Sequence, residues 1–205
     1  MRTGSVDAAM AFSPACERNK EAILAALIRA FADCRCILEI GSGTGQHAVY
    51  FSQALAPLRW LPSDRASAMP ALAARIAAEA GTNCAPPVNL DVATQPWPVA
   101  PVDGVFSANT MHIMSWVHVR LFFSGLDQVL QPGGRLCLYG PFRYAEEFTS
   151  PSNASFDASL RSRDPTSGIR DFEAVDELAR GLGLHLQSDT AMPANNQLII
   201  WERHG

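Results

Sequence analysis

Residues 39–47 read E-I-G-S-G-T-G-Q-H and follow the apolar run Cys36, Ile37, Leu38. Glycines alternating behind a strand let backbone approach a ligand closely, and nucleotides, dinucleotides and S-adenosylmethionine are all held by turns of this kind. A dinucleotide turn requires G-x-G-x-x-G; here the sixth position counted from Gly41 is Gln46, and the third glycine falls early, at Gly45. A Walker loop requires a closing Gly-Lys-Ser/Thr, and no lysine stands nearby. What remains is E-x-G-x-G-x-G, with Glu39 two residues ahead of Gly41. Gly41 and Gly43 would turn the chain beneath a ligand that carries no phosphate there, while acidic groups meet its ammonium and ribose. That is an arrangement suited to S-adenosylmethionine.

A carboxylate at the end of a second strand is needed to accept from the ribose hydroxyls, and Asp64 in L-P-S-D supplies it. This feature alone does not separate S-adenosylmethionine from NAD, since both contain ribose. Asp91 in N-L-D-V follows a third strand, where it would accept from the adenine amino group while Val92 covers the ring. Each aspartate taken singly would also serve as a helix cap or turn residue. Acidic side chains at three successive strand ends are harder to explain by capping.

Ligands of doubly wound sheets lie beyond the carboxyl ends of the strands, and further polar groups converge there. The fourth strand runs into A-N-T-M-H-I, which brings Asn109 to the cofactor and His112 to the methyl position; the fifth runs into Y-G-P-F-R, with Tyr139, Phe142 and Arg143. Arg18, Asn19 and His47 complete the cofactor set from the flanking helices, Arg18 being the first candidate for the cofactor carboxylate. An unperturbed imidazole, with a pKa near ~6.5, suits His112 for general-base work, or it hydrogen-bonds the cofactor instead. Ser150, Asn153, Asn195 and Asn196 are the short polar groups that would fix an acceptor. Arg143 and Arg170 would bind an acidic one through bidentate pairs, or else pair with neighbouring acids such as Asp157, Asp164 and Asp171.

The elements that must position these residues alternate. Ser13-Pro14 opens a helix with apolar spacing over 17–31; strands follow at Cys36–Ile40, 58–62, 87–90, Val102–Ala108 and 135–139, with helices at 46–56, 66–80 and 117–130 between them. This alternation predicts an α/β Rossmann-like fold: a mostly parallel sheet with helices on both faces. Residues 140–170 break the pattern. They read as a polar, turn-rich excursion with only brief helix, and 141–170 are assigned as a lid-like insertion. A helix over 171–181 and strands at 184–188 and 197–202 complete the chain. The link T-A-M-P-A-N-N is too short for a crossover helix, so the last two strands must pair antiparallel. Residues 1–12 read as a flexible N-terminus and 13–205 as a single domain.

Composition narrows the function classes. A chain of 205 residues with 48% hydrophobic and 18% charged residues is a packed globular protein, and a net charge of −4 gives no general attraction to nucleic acid or anionic lipid. The five cysteines are odd in number, sit mostly in apolar stretches and lack zinc spacing, so no metal is expected and the thiols read as reduced. With no signal peptide and no membrane span in the sequence, the expected setting is the cytoplasm, as a monomer or homodimer.

The segments F-S-P-A-C-E-R-N-K, L-E-I-G-S-G-T-G-Q-H, L-P-S-D, F-S-A-N-T-M-H-I, L-Y-G-P-F, T-S-P-S-N-A-S-F-D-A-S-L-R-S-R-D-P, G-I-R-D and M-P-A-N-N together resemble the family catalogued as domain of unknown function 938, grouped with methyltransferase-like proteins. The resemblance runs from about Phe12 to the last strand. It implies a class I methyltransferase fold with a seven-stranded sheet, and S-adenosylmethionine as cofactor. It does not fix the methyl acceptor. A small-molecule acceptor is the leading reading; a non-catalytic S-adenosylmethionine-binding protein, or an RNA or protein methyltransferase, are the alternatives.

Overall fold

The computed structural model describes residues 11–204. The expected flexible segment therefore lies almost wholly outside the described residues. Of its last two members, Phe12 is exposed, whereas the Ala11 carbonyl accepts from the Arg75 guanidinium at 2.7 Å.

Helix α1 (Pro14–Ala30) starts where the Ser13 side chain accepts from the Cys16 amide and Pro14 supplies a first-turn φ; it buries Asn19, Ile23, Leu27 and Ala30 along one stripe. The chain then alternates through β1 (Cys36–Ile40), α2 (Gln46–Ala54), β2 (Arg59–Asp64), α3 (Met69–Glu79), β3 (Val88–Asn89), β4 (Val102–Ala108), α4 (Trp116–Val129) and β5 (Leu130–Gly140). After the small strands β6 (Phe142–Tyr144) and β7 (Glu147–Phe148) come α5 (Pro151–Arg163), β8 (Arg170–Asp171), α6 (Phe172–Arg180), β9 (Leu184–Met192) and β10 (Asn196–Arg203). Seven strands form one sheet in the order β3-β2-β1-β4-β5-β10-β9, with β10 antiparallel to both neighbours and β1 to β5 parallel.

Period-two alternation divides the core between the two faces. Leu38, Val105, Leu136 and Ile199 face α4 and α6, where Val119, Phe122, Leu126 and Val175 are buried. Ile37, Phe106, Cys137 and Leu198 face α1, α2 and α3 through Ile23, Leu27, Phe51 and Leu72. Each such side chain contributes about 1.5–3 kcal/mol of transfer free energy, so the sheet is held from both sides and its carboxyl edge becomes a rigid platform. All strands of this sheet except β10 end at that edge, which gathers the glycine turn, residues 64–65, 90–93 and 109–115, the start of the 141–170 segment and the β9–β10 turn.

Three elements differ from the sequence-based expectation. The fifth strand starts at Leu130 and takes in Q-P-G-G, because Leu130 pairs with Val102 before an irregularity resets the register at Gly104 and Arg135. The sixth reaches Met192: its residues are mostly exposed at the sheet edge and leave no alternation to read, but pairing with β10 continues to Asn196. The 141–170 excursion contains a 13-residue helix and a three-stranded sheet, β7-β6-β8. Helix α5 is capped by Ser150 and opened by Pro151, and it buries only Asn153 and Asp157, so no apolar stripe announces it.

Candidate functional site

The turn after β1 is built on three left-handed glycines, Gly41 (φ 77°), Gly43 (φ 54°) and Gly45 (φ 77°). Two of them are packed. A Cβ on Gly41 would stand 2.5 Å from Thr110 Cγ2, and one on Gly45 2.9 Å from Leu72 Cδ1. Gly43 is different, since a Cβ there would meet nothing within 4 Å and would project into open space above the sheet edge. The turn is fixed to β2 by the Gly41 and Ser42 amides, which donate to the Ser63 carbonyl at 3.0 and 2.9 Å. The missing side chain at Gly43 is therefore what a ligand approaching backbone would need.

Asp64 closes over this turn. Its Oδ2 accepts from the Gly43 amide at 2.7 Å and its Oδ1 from the Arg65 amide at 2.7 Å. Asp91 lies just past β3, with Oδ1 accepting from the Ala93 amide at 2.9 Å, and Val92 packs half-buried against the core. Both aspartates and the glycine turn share the carboxyl edge.

Glu39 does not share it, which corrects the reading of this residue as a partner for the cofactor ammonium. Its carboxyl lies under the turn, 2% exposed, with the Trp60 indole nitrogen donating to it at 2.9 Å. Side chains alternate along β1, so Glu39 points with Ile37 into the α1/α2 face. Burial pushes its pKa up to about 7.

The helices over that face carry a second polar group. Asn19, 6% exposed, places Oδ1 2.7 Å from His47 Nε2. The His47 ring stacks on Phe51 with centroids 5.0 Å apart, and burial lowers its pKa to about 4, so it is a neutral packing residue. Arg18, next to Asn19, is exposed, and its side chain makes no hydrogen bond to the described residues. The Tyr139 ring is buried, while its hydroxyl meets the side chains of Asn19 and Asn196.

At the end of β4, Asn109 takes a left-handed conformation (φ 58°) and donates its amide to the Tyr139 carbonyl at 2.8 Å. Short polar side chains tolerate this conformation better than apolar ones, and it turns the chain sharply toward His112. The His112 ring is 4% exposed, and its carbonyl accepts from the Gly168 amide at 2.9 Å. Burial, and then the nearby Arg170 cation, push the His112 pKa down to about 4. The ring is neutral at pH 7, but as a proton acceptor it is far weaker than the ordinary histidine expected from the sequence.

The arginines and the short polar groups of the expected acceptor set have partners within the protein. Arg170 donates to the carbonyls of Met111 (3.1 Å), Thr166 (3.0 Å) and Met114, so it fixes the turn under His112 in place of clamping an acid. Arg143 pairs with Asp171 at 2.5 Å. Phe142 is 1% exposed and belongs to the core. Ser150 caps α5, accepting from the Asn153 amide at 3.2 Å. Asn153 Nδ2 donates to Thr149 Oγ1 at 2.8 Å and to the Asn195 carbonyl at 2.9 Å, and Asn195 Nδ2 donates to Ser152 Oγ at 3.0 Å. Asn196 Nδ2 is held by the Pro193 carbonyl at 3.0 Å. These amides join α5 to the β9–β10 turn.

Sequence reasoning missed Phe156, whose ring lies against His112, and Trp60, which holds Glu39. Phe156 stands as a lone aromatic in the polar run S-N-A-S-F-D, and that isolation was the available signal. A surface concavity lined by Ile28, Phe31, Leu55 and Pro57 lies at the opposite, amino edge of the sheet, away from these groups.

Three solved structures place this geometry among known folds. An O-methyltransferase family protein from Burkholderia thailandensis superposes with a TM-score of 0.76 at 15% identity, over 91% of this chain and 60% of that one. The S-adenosylmethionine-dependent methyltransferase SibL gives 0.77 at 22% identity, over 93% and 56%. The mitomycin 7-O-methyltransferase MmcR gives 0.75 at 16% identity, over 89% and 53%. The chain thus spans little more than half the length of these proteins. The fold is the Rossmann-like class I methyltransferase fold. Among the described residues no helix is long and apolar enough to cross a membrane. A profile of the family Protein of unknown function (DUF938) matches residues 10–203, and the chain belongs to that family.

Proposed function

We propose that the protein is an S-adenosylmethionine-dependent methyltransferase acting on a small-molecule acceptor. The observation that carries this reading is the pairing of an unfilled approach at Gly43 with the Asp64 carboxylate 2.7 Å from the Gly43 amide, at the carboxyl edge of a methyltransferase-type sheet. S-adenosylmethionine, when bound, supplies an activated methyl group for in-line transfer. The residues present fit it: Gly43 gives backbone approach, Asp64 has acceptor oxygens for ribose hydroxyls, Asp91 and Val92 flank the adenine position, and Arg18, Asn19 and Asn109 stand on the neighbouring helix and strand end. Of the three structures compared above, two are named as O-methyltransferases and one as S-adenosylmethionine-dependent.

Around the acceptor the chain's own task is alignment and exclusion of water. His112 and the Tyr139 hydroxyl are its groups for holding or receiving a proton. His112, neutral and weakly basic, suits orientation of an acceptor hydroxyl better than strong general-base work. A macromolecular acceptor is disfavoured by the net charge of −4 and by the internal pairing of Arg143, Arg161 and Arg170. Five free cysteines suit a reducing, cytoplasmic setting.

Titration calorimetry with S-adenosylmethionine and with NAD tests the cofactor; binding of NAD alone would overturn the reading. Release of S-adenosylhomocysteine in a metabolite extract tests catalysis. Cofactor binding without any release would leave a non-catalytic S-adenosylmethionine-binding protein.

A further inference from the structure

The ring of Phe156 on α5 meets the ring of His112 edge-on, with centroids 5.3 Å apart and planes at 70°. The two are unequally covered: His112 is 4% exposed and Phe156 40%. A free apolar face therefore stands at the rim directly beside the imidazole. Ile113, next to His112, and Val117, on the first turn of α4, are exposed as well. Of the six large hydrophobic side chains exposed among the described residues, three lie on the two segments that meet at this ring contact.

Three of the arginines on these segments, Arg143, Arg161 and Arg170, are already engaged within the protein. Asp157, one residue beyond Phe156, is 6% exposed and accepts from Arg161 Nε at 2.7 Å and from the Ile169 amide at 2.7 Å. Arg143 is paired with Asp171, and Arg170 is spent on main-chain carbonyls. An anionic molecule laid over Phe156 would lose water and find the guanidinium groups of Arg143, Arg161 and Arg170 already engaged, whereas a flat apolar one would cover exposed ring and carry its polar atom to His112.

Resting on the methyltransferase reading above, we infer that Phe156 is the specificity-determining contact of the acceptor subsite, and that this subsite takes an uncharged, planar aromatic molecule with its polar atom toward His112. The test is titration calorimetry on the full chain with 2-naphthol and with its charged relative 6-hydroxy-2-naphthoate, each without and with saturating S-adenosylhomocysteine. 2-Naphthol is expected to bind, the naphthoate at least tenfold more weakly. Phe156→Ala should weaken 2-naphthol at least tenfold and Phe156→Leu by less, with S-adenosylhomocysteine affinity within threefold of wild type. The thermal midpoint of each variant reports folding, which truncation of a partly exposed side chain should spare. Failure of 2-naphthol to bind, equal or tighter binding of the naphthoate, or equal 2-naphthol affinity in wild type and Phe156→Ala would each overturn the inference. S-adenosylhomocysteine binding without 2-naphthol binding defeats this subsite alone. Phe156-dependent 2-naphthol binding without S-adenosylhomocysteine binding upholds the subsite and defeats the cofactor reading.

Discussion

Asn153 Nδ2 lies 2.9 Å from the main-chain oxygen of Asn195, and this bond ties the first turn of α5 to the turn between the last two strands. Asn153 is buried and its amide also reaches Thr149. Removing the side chain leaves a carbonyl without its partner, a loss of about 1–3 kcal/mol. Asn153→Ala should therefore loosen both segments together: amide exchange in 151–163 and 193–196 should accelerate, while S-adenosylmethionine affinity stays within about threefold, a shift below ~1 kcal/mol. Turnover on the true acceptor should fall tenfold or more. Unchanged exchange would show that the contact does not tie these two segments together.

Asp64 meets backbone donors only, at Gly43 and Arg65. If it exchanges these for ribose hydroxyls, Asp64→Ala forfeits charge-assisted bonds worth roughly 1.5–3 kcal/mol each, and calorimetry should show S-adenosylmethionine bound at least tenfold more weakly. The thermal midpoint should move little, because the residue is not in the core. Wild-type affinity in the variant would make Asp64 a turn residue only.

Gly41 and Gly43 should respond differently to alanine. Both are left-handed, at a cost of roughly 1–2 kcal/mol for any L side chain, but only at Gly41 does the added Cβ strike a neighbour, Thr110 at 2.5 Å. Gly41→Ala should thus lower the thermal midpoint more than Gly43→Ala. Gly43→Ala should cost more in cofactor affinity, since its methyl enters the approach itself. Paired melting and calorimetry separate the two outcomes.

Glu39 gives a pH dependence of definite sign. Its folded pKa, about 7, lies above the ordinary 4.5, so the folded protein binds the proton more tightly than the unfolded chain and its contribution to stability is lost as pH rises from about 4.5 to 7. His47 and His112 act oppositely: their folded values near 4 lie below 6.5, and the stability they confer is lost as pH falls through that window. The difference between wild type and Glu39→Gln isolates the carboxyl. The variant should be no more stable than wild type at pH 5 and relatively more stable at pH 8, by on the order of 1–3 kcal/mol. A difference in denaturation midpoint that stays constant between pH 5 and 8 would show that Glu39 is ionised in the fold throughout.

Strand, helix and turn assignments around the cofactor edge were legible in the sequence because their causes are local. Short, largely apolar runs mark Cys36–Ile40 and Val102–Ala108 as buried parallel strands, Ser13-Pro14 opens α1, and glycines at 41, 43 and 45 impose a turn whatever surrounds them. With right-handed crossovers, that order alone carries Asp64 and Asp91 to one edge of the sheet. Tertiary structure decided the rest. Helix α5 hides from periodicity since it buries Asn153 and Asp157 where a stripe would be apolar. Arg170 could not be distinguished from an acid clamp until folding set it against the carbonyl of Met111, 59 residues away. Glu39 belongs to the glycine motif in sequence, yet strand alternation and Trp60 turn it inward, and the contact between Phe156 and His112 exists only where α5 closes on the end of β4. A polar or aromatic side chain takes its role from the partner it meets, and for these residues the partner is supplied by distant segments of the chain.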